Sequence, residues 1–361
     1  MAEKGMETAV GTETVEIDQF VDRPGAIIDV RSPAEFQQGH IPGAINLPLF
    51  SNAERAEVGT IYKQDGRQSA IRRGLALVGP RLGAMAEALL SAQSDQPHHT
   101  LRLHCWRGGM RSASVAWLAS TLDLPAVLLN GGYKAYRRWV LEVLAQPWPI
   151  HLLGGRTGVG KTELLQALIA RGVAVVDLEG LAHHRGSSFG GLGQPAQPSS
   201  EHFENRLANA LHRQRRAREI WLEAESAQVG RCRIPNALWQ QMKAAPLLEV
   251  RRPLAYRLHH LVGLYGHQSR DALVEATERI SKRLGPQRTA VAVEAIRLGD
   301  MELACRQMLD YYDRCYDRDT AAHRATAVDL GERSADEGAE HLLNTGWVAS
   351  ATLRSEPTPD R

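Results

Sequence analysis

The stretch IHLLGGRTGVGKTELLQALIARG, residues 150–172, constrains this chain more than any other. A strand-length apolar run precedes G-x-x-x-x-G-K-T and a helix-length run follows it, so the backbone must go strand, tight loop, helix. In that context the N–H groups of Gly155, Arg156, Thr157, Gly158, Val159 and Gly160 curl into an anion cradle at the positive end of a helix. Lys161 neutralises the bound charge and the Thr162 hydroxyl takes a Mg²⁺ ion. Such a loop announces a polyphosphate ligand, whether hydrolysed, transferred or displaced as a leaving group. A carboxylate must complete the Mg²⁺ shell. Strand ends offer Asp177, closing VAVVD, and Glu223 and Glu225, closing IWLEAE, with Asp177 ranked first.

One such unit does not fill 361 residues, which predicts two domains. From Ala26 onward apolar runs (AIIDV, AINLP, LRLHC, AVLLN) alternate with helical ones (PAEFQQGH, RSASVAWLASTL, YKAYRRWVLEVL), the order of a parallel sheet. Two prolines in QPWPI interrupt the helix pattern and mark the boundary, giving one domain over 15–145 and a second over 150–350. The ends, MAEKGMETAVGTET and SEPTPDR, read as frayed tails. No apolar run reads as long enough to cross a bilayer, no basic-then-apolar leader opens the chain, and four scattered Cys make no disulfide framework. The expectation is a cytoplasmic protein with no membrane partner.

A net charge of +2 exerts no global pull on nucleic acid, so such a partner needs a local patch. RLANALHRQRRAR supplies one on a predicted helix: Arg206, Arg213, Arg215, Arg216 and Arg218, with Leu207 and Leu211 one turn apart on the buried side. Taken alone, the plainer reading is a solvated helix face. The stripe Met301, Cys305, Met308, Tyr312, Cys315 at helical spacing is expected to be core. Cys232 lies outside any C-x-x-C pattern, and no metal site built by protein alone is expected.

HCWRGGMRS, residues 104–112, is the second reactive pattern. A thiol reacts as thiolate, so something must lower its pKa. Cys105 ends the run LRLH and Ser112 is placed to cap the helix SASVAWLAS. The loop of Trp106, Arg107, Gly108, Gly109 and Met110 is then expected to turn N–H groups and the positive helix end onto the sulfur. Gly108 and Gly109 permit positive φ and leave room for a tetrahedral anion, and Arg107 and Arg111 add charge. Cys, five residues, Arg and Ser fit a phosphatase loop and a sulfur carrier's loop equally well.

DVRSPAEFQQGHIPGAINLP (29–48) and LNGGYKAY (129–136) resemble the opening and the Gly-Gly turn of rhodanese domains over about residues 15–145. Asp29, Arg31, Glu35 and His40 are expected to brace this framework through hydrogen bonds. The fold class so implied is α/β: an N-terminal rhodanese-like parallel-sheet domain and a C-terminal P-loop NTPase-like α/β domain with a helical C-terminal third. The Cys105–Arg111 loop has the longer form found in rhodanese-fold phosphatases, which suits a phosphate-sized anion.

Over nearly the whole chain, YKQDGRQSAIRRGLALVGP (62–80), DLEGLAHHRGSSFG (177–190) and WLEAESAQVGRCRIP (221–235) resemble the bacterial tRNA 2-selenouridine synthases. That resemblance implies a transferase that converts wobble 2-thiouridine in tRNA to 2-selenouridine. It implies S-geranylation with geranyl diphosphate, then selenium transfer from selenophosphate, with no tightly bound cofactor. Cys105 and Arg111 become the catalytic candidates, facing selenophosphate, and the P-loop faces geranyl diphosphate. His183, His184, Arg185, Ser187 and Ser188 become candidate contacts to diphosphate or tRNA, and the Arg206–Arg218 helix a tRNA contact surface. Selenophosphate synthase would be the protein partner. Rival readings are a sulfurtransferase coupled to nucleotide hydrolysis, a rhodanese-fold phosphatase with a P-loop module, and a non-enzymatic tRNA-binding protein. Apolar helices in the C-terminal third read the same whether they form core or line a prenyl pocket.

Overall fold

The computed structural model describes residues 12–95, 99–320 and 325–349, and the expected C-terminal tail lies outside them. The chain divides into two compact units after Glu142, a few residues before the predicted break and within the last turns of a helix.

In the first unit the elements are β1 (Glu13–Val15), α1 (Ile17–Asp22), β2 (Ile27–Asp29), α2 (Pro33–Gln38), β3 (Ala44–Asn46), α3 (Asn52–Gln64), α4 (Gly66–Val78), α5 (Leu82–Ser94), β4 (Leu101–His104), α6 (Met110–Thr121), β5 (Ala126–Leu129) and α7 (Gly132–Ala145). The five strands form one parallel sheet in the order β1-β5-β4-β2-β3. Ile28, Leu101 and Leu103 from its middle strands and Val30 just past β2 pack with Leu89 of α5 and Val115 of α6. Each such side chain contributes roughly 1.5–3 kcal/mol by leaving water. Glu13 and Thr14, counted with the N-terminal tail in the sequence, instead belong to an edge strand, because the backbone of Glu13–Val15 pairs with Val127–Leu129.

The expectation of no membrane-length apolar run also needs correcting. The helical stretch Gly66–Ser94 is long and apolar enough to cross a membrane by length and composition. Here it is broken by a 3-10 turn at Gly79–Arg81, where Pro80 removes a backbone donor, and Met85, Leu89 and Ala92 of α5 are buried.

The second unit comprises β6 (Ile150–Gly154), α8 (Lys161–Ala170), β7 (Val175–Val176), α9 (Leu178–Ala182), α10 (Ser200–Arg213), β8 (Ile220–Glu223), β9 (Gln228–Val229), β10 (Cys232–Arg233), α11 (Asn236–Ala244), β11 (Leu247–Arg251), α12 (Leu254–Tyr265), α13 (Arg270–Arg279), α14 (Ser281–Leu284), α15 (Pro286–Leu298), α16 (Met301–Thr320), β12 (Ala325–Asp329) and α17 (Ala335–Asn344). Its parallel sheet runs β12-β11-β6-β8-β7, with β9 and β10 as a separate antiparallel pair. The P-loop strand β6 is therefore central and β8 lies directly beside it. The predicted helical C-terminal third is interrupted by β12, which returns to pair with β11.

Candidate functional site

Cys105 leaves the carboxyl end of β4, between β5 and β2, where successive connections leave the sheet in opposite directions. Crevices at such points collect ligands. The Gly109 N–H and the Ser112 hydroxyl each donate to the Cys105 sulfur at 3.3 Å. Burial pushes the thiol up, but the Ser112 hydroxyl and the N–H groups of Ser112, Arg107 and Gly109 outweigh it, so Cys105 titrates below an ordinary thiol. Ser112 is not the cap. Gly109 takes the extended N-cap conformation, α6 starts at Met110, and Ser112 in its first turn reaches back to the sulfur.

Positive φ is needed only at Gly108 (+64°), where a Cβ would meet the Leu129 carbonyl oxygen at 2.6 Å. Gly109 is extended, and a Cβ there would enter open space. The Gly-Gly turn closes beneath the loop: Tyr133 and Lys134 N–H donate to the carbonyls of Cys105 and Trp106 at 2.8 and 3.0 Å.

Below the loop, Arg31 grips Asp29 at 2.6 and 3.0 Å with both side chains buried, and its guanidinium lies 3.6 Å from the Tyr133 ring centre. Removing one partner of such a pair costs about 3–5 kcal/mol. Burial pushes the neighbouring His104 down to about 4, so it packs as a neutral ring. His40 bonds to the Phe36 carbonyl at 2.9 Å. Glu35 closes the capping box of α2 and accepts from Arg111 at 2.8 Å. The Arg111 fork is thus held by a carboxylate rather than aimed unpaired at the anion, as the sequence had suggested. Trp106, Arg107 and Met110 are exposed at the mouth.

The P-loop leaves β6 with φ of +148°, +86° and +76° at Gly155, Gly158 and Gly160. A Cβ on Gly158 would meet the Arg257 carbonyl oxygen at 2.8 Å. Arg257 on α12 clamps the loop, donating to the Thr157 carbonyl at 2.8 Å and to Asp313 of α16 at 3.0 Å. Arg156 turns its side chain to Asp317 at 2.8 Å, and Val159 is buried, so both serve the cradle through their backbones. Lys161 Nζ donates to the Gly155 carbonyl at 3.2 Å.

The carboxylate on Thr162 is Glu179, not Asp177: the Thr162 hydroxyl donates to it at 2.8 Å. Asp177 caps α9, accepting from the Gly180 N–H at 2.6 Å and from Gln166 at 2.9 Å. Glu223 is buried, accepts from the Leu178 N–H at 2.8 Å, and is pushed well up by burial. Glu225 lies past the end of β8, where burial and then the Glu179 charge push it up to about 8 against the pull of Lys161. A hydroxyl and a carboxylate in contact, with a further carboxyl at Glu225 beside them, are hard oxygen donors that fit Mg²⁺.

Lys161, Thr162, Glu179 and Glu225 line a cleft of about 1900 Å³, whereas Asp177 and Glu223 lie outside its lining. Arg185, Arg231, Arg279, Lys282, Arg283 and Arg318 give it cations, and Leu261, Leu264, Tyr265, Ile280 and Tyr311 give it an apolar wall. Tyr312 and Tyr316 also line that wall, with their hydroxyls buried. Of the expected core stripe, Cys305 and Met308 are buried, whereas Tyr312 and Cys315 line this cleft.

His183, His184, Arg185, Ser187 and Ser188 all line it as well, but several are already tied. His183 caps α9 with φ +52°, its ring nitrogens 3.0 Å from the Ala196 carbonyl and 2.9 Å from Arg206. Burial, then the Arg279 charge, pushes His184 down. Ser187 accepts from the Phe189 N–H at 3.2 Å, and Ser188 donates to the Ala276 carbonyl at 3.1 Å. Arg206 donates to the Leu181 carbonyl at 2.7 Å, so it braces α9 and leaves the proposed tRNA surface. Arg213, Arg215, Arg216 and Arg218 are exposed, though α10 ends at Arg213 and the last three lie beyond it.

Comparison with known proteins agrees with both halves. Residues 148–340 match the family model described as tRNA 2-selenouridine synthase AAA domain, and residues 14–138 match the rhodanese-like domain. The tRNA 2-selenouridine synthase of Pseudomonas fluorescens is 39% identical over 78% of this chain and 83% of its own length. That of Alcanivorax borkumensis is 36% identical over 85% and 93%, and that of Shewanella sediminis 41% identical over 69% and 67%. Matched by this family's model over 148–340 and by these relatives over most of its length, the chain belongs to the tRNA 2-selenouridine synthase family of transferases.

Proposed function

We propose that the protein converts wobble 2-thiouridine in tRNA to 2-selenouridine in two steps, using the P-loop cleft for geranyl diphosphate and the Cys105 loop for selenophosphate. The observation that carries this reading is the P-loop cleft, which joins an anion cradle, six cations and an apolar wall in one cavity. An amphiphilic prenyl diphosphate needs all three.

In the first step the thiouridine sulfur attacks C1 of the geranyl chain, the C–O bond breaks, diphosphate departs, and N3 of the base releases a proton. The P-loop N–H groups and Lys161 hold the leaving diphosphate. Mg²⁺, when bound by Thr162 and Glu179, would add charge neutralisation there.

Alkylation makes the sulfur a better leaving group. In the second step selenium of selenophosphate attacks C2 of the base, the C–S bond breaks, and geranylthiol leaves with a proton. Water then cleaves the Se–P bond, returning a proton to N3 and releasing phosphate. The N–H groups around Cys105 and the exposed charge of Arg107 hold a phosphate-sized donor beside the thiol, while Arg111 stays tied to Glu35 at its edge. Exposed Arg213, Arg215, Arg216 and Arg218 serve as tRNA phosphate contacts.

Mass spectrometry of nucleosides from thiolated tRNA, treated first with geranyl diphosphate and then with selenophosphate, tests this. The expected sequence is a geranylated intermediate followed by 2-selenouridine. A base left chemically unchanged overturns it.

A further inference from the structure

We infer that the first unit carries its own prenyl subsite: the apolar cleft whose floor holds Cys105 binds the ten-carbon chain on the alkylated base and receives it as geranylthiol. This deepens the proposed function and rests on it.

The cleft measures about 1180 Å³ and lies between the α3–α4 hairpin and α6. Among the described residues, fifteen large apolar side chains are exposed, and six of them line this one cleft: Tyr62, Leu75, Leu82, Trp106, Met110 and Trp117. Such a concentration of wet apolar surface marks a binding site. Its occupant follows from the chemistry at its floor. The buried Cys105 sulfur opens onto the cleft, so what binds there reaches the reacting centre. Selenophosphate has no apolar part and a uridine ring has no chain, so neither accounts for the wall. The S-alkyl group is the one apolar piece that the reaction brings to this thiol.

The rim is cationic, with Arg55, Lys63, Arg67, Arg107 and Arg111, which suits the donor and the RNA backbone outside the apolar wall. Gly59 leaves space within the cleft: a Cβ there would meet only the flexible end of Arg55. By this inference the cleft makes the second step selective for the product of the first.

The test bypasses the first step. An anticodon stem-loop carrying S-geranyl-2-thiouridine, and its S-methyl counterpart, are each given selenophosphate and the full-length protein in single turnover. Burying even two methylenes is worth roughly tenfold, so the geranyl substrate is expected to react at least ~10-fold more efficiently at sub-saturating concentration. Gly59→Leu and Leu75→Glu are expected to remove most of that preference while leaving S-methyl turnover unchanged. Equal rates on both substrates, or an equal fall on both in the variants, overturn the inference. In parallel, calorimetry with the free S-geranyl and S-methyl nucleosides reads binding without catalysis. Weaker geranyl-nucleoside binding by Gly59→Leu supports the subsite even if neither stem-loop is selenated, a result that would sink the two-step reading alone. Binding untouched by both variants overturns the subsite.

Discussion

The Cys105 loop and the P-loop solve one problem in two ways. Each sits at the carboxyl end of a central parallel strand, and each aims backbone N–H groups at a ligand site before a helix. The first is built around a buried thiol, with donors at 3.3 Å and an arginine already held by Glu35. The second is built around a lysine, with six further arginine or lysine side chains lining its cleft and Glu225 pushed up by burial and then by the Glu179 charge. Backbone curvature builds a cradle for phosphate-sized oxyanions. What the side chains add differs: a thiol of lowered pKa in one case, a lysine beside a paired hydroxyl and carboxylate in the other.

The strongest way to break this contrast is Cys105→Ser. Selenation is expected to fall by roughly a thousandfold with geranylation unchanged, as read by nucleoside mass spectrometry. Loss of both in a folded variant would mean that the two loops do not divide the labour. Lys161→Ala is expected to slow geranylation by about a hundredfold while pre-geranylated tRNA is still selenated.

Glu179→Gln sharpens the metal half of the comparison. It is expected to raise the Mg²⁺ needed for half-maximal geranylation by roughly tenfold, whereas Asp177→Asn, which touches a helix cap, leaves that requirement in place. Ser112→Ala probes the thiol. The hydroxyl favours the thiolate, so its removal raises the Cys105 pKa, and the pH profile of iodoacetamide labelling is expected to move to higher pH. The smallest effect is on tRNA binding. Neutralising Arg213, Arg215, Arg216 and Arg218 is expected to flatten the dependence of log affinity on log salt by about 0.7–0.9 for each phosphate left without its arginine, and neutralising Arg206 instead is expected to destabilise the fold.

Much of this was legible in the chain. G-x-x-x-x-G-K-T between a strand and a helix, and Cys followed by a glycine turn, are local patterns, and both loops formed where they were read. The Asp29–Arg31 brace was legible because its partners are two residues apart. Glu179 was missed because its contact with Thr162 joins α8 to α9 across seventeen residues. Asp177 was preferred for its place at a strand end, where helix capping consumed it. Arg206 shared the composition of its neighbours, and only the turn of α10 pointed it at the Leu181 carbonyl.

Taken by itself, the order of residues determined the two parallel sheets, the position of each anion loop on its strand and the family. These follow from short-range rules: hydrophobic period, glycine where φ is positive, and a helix start after the loop. Tertiary structure alone decided which carboxylate meets Thr162, that Arg111 is held by Glu35, and that α3, α4 and α6 leave an apolar cleft above the thiol. Those depend on side chains distant in sequence arriving at one point, and no local pattern encodes where separate helices leave space between them.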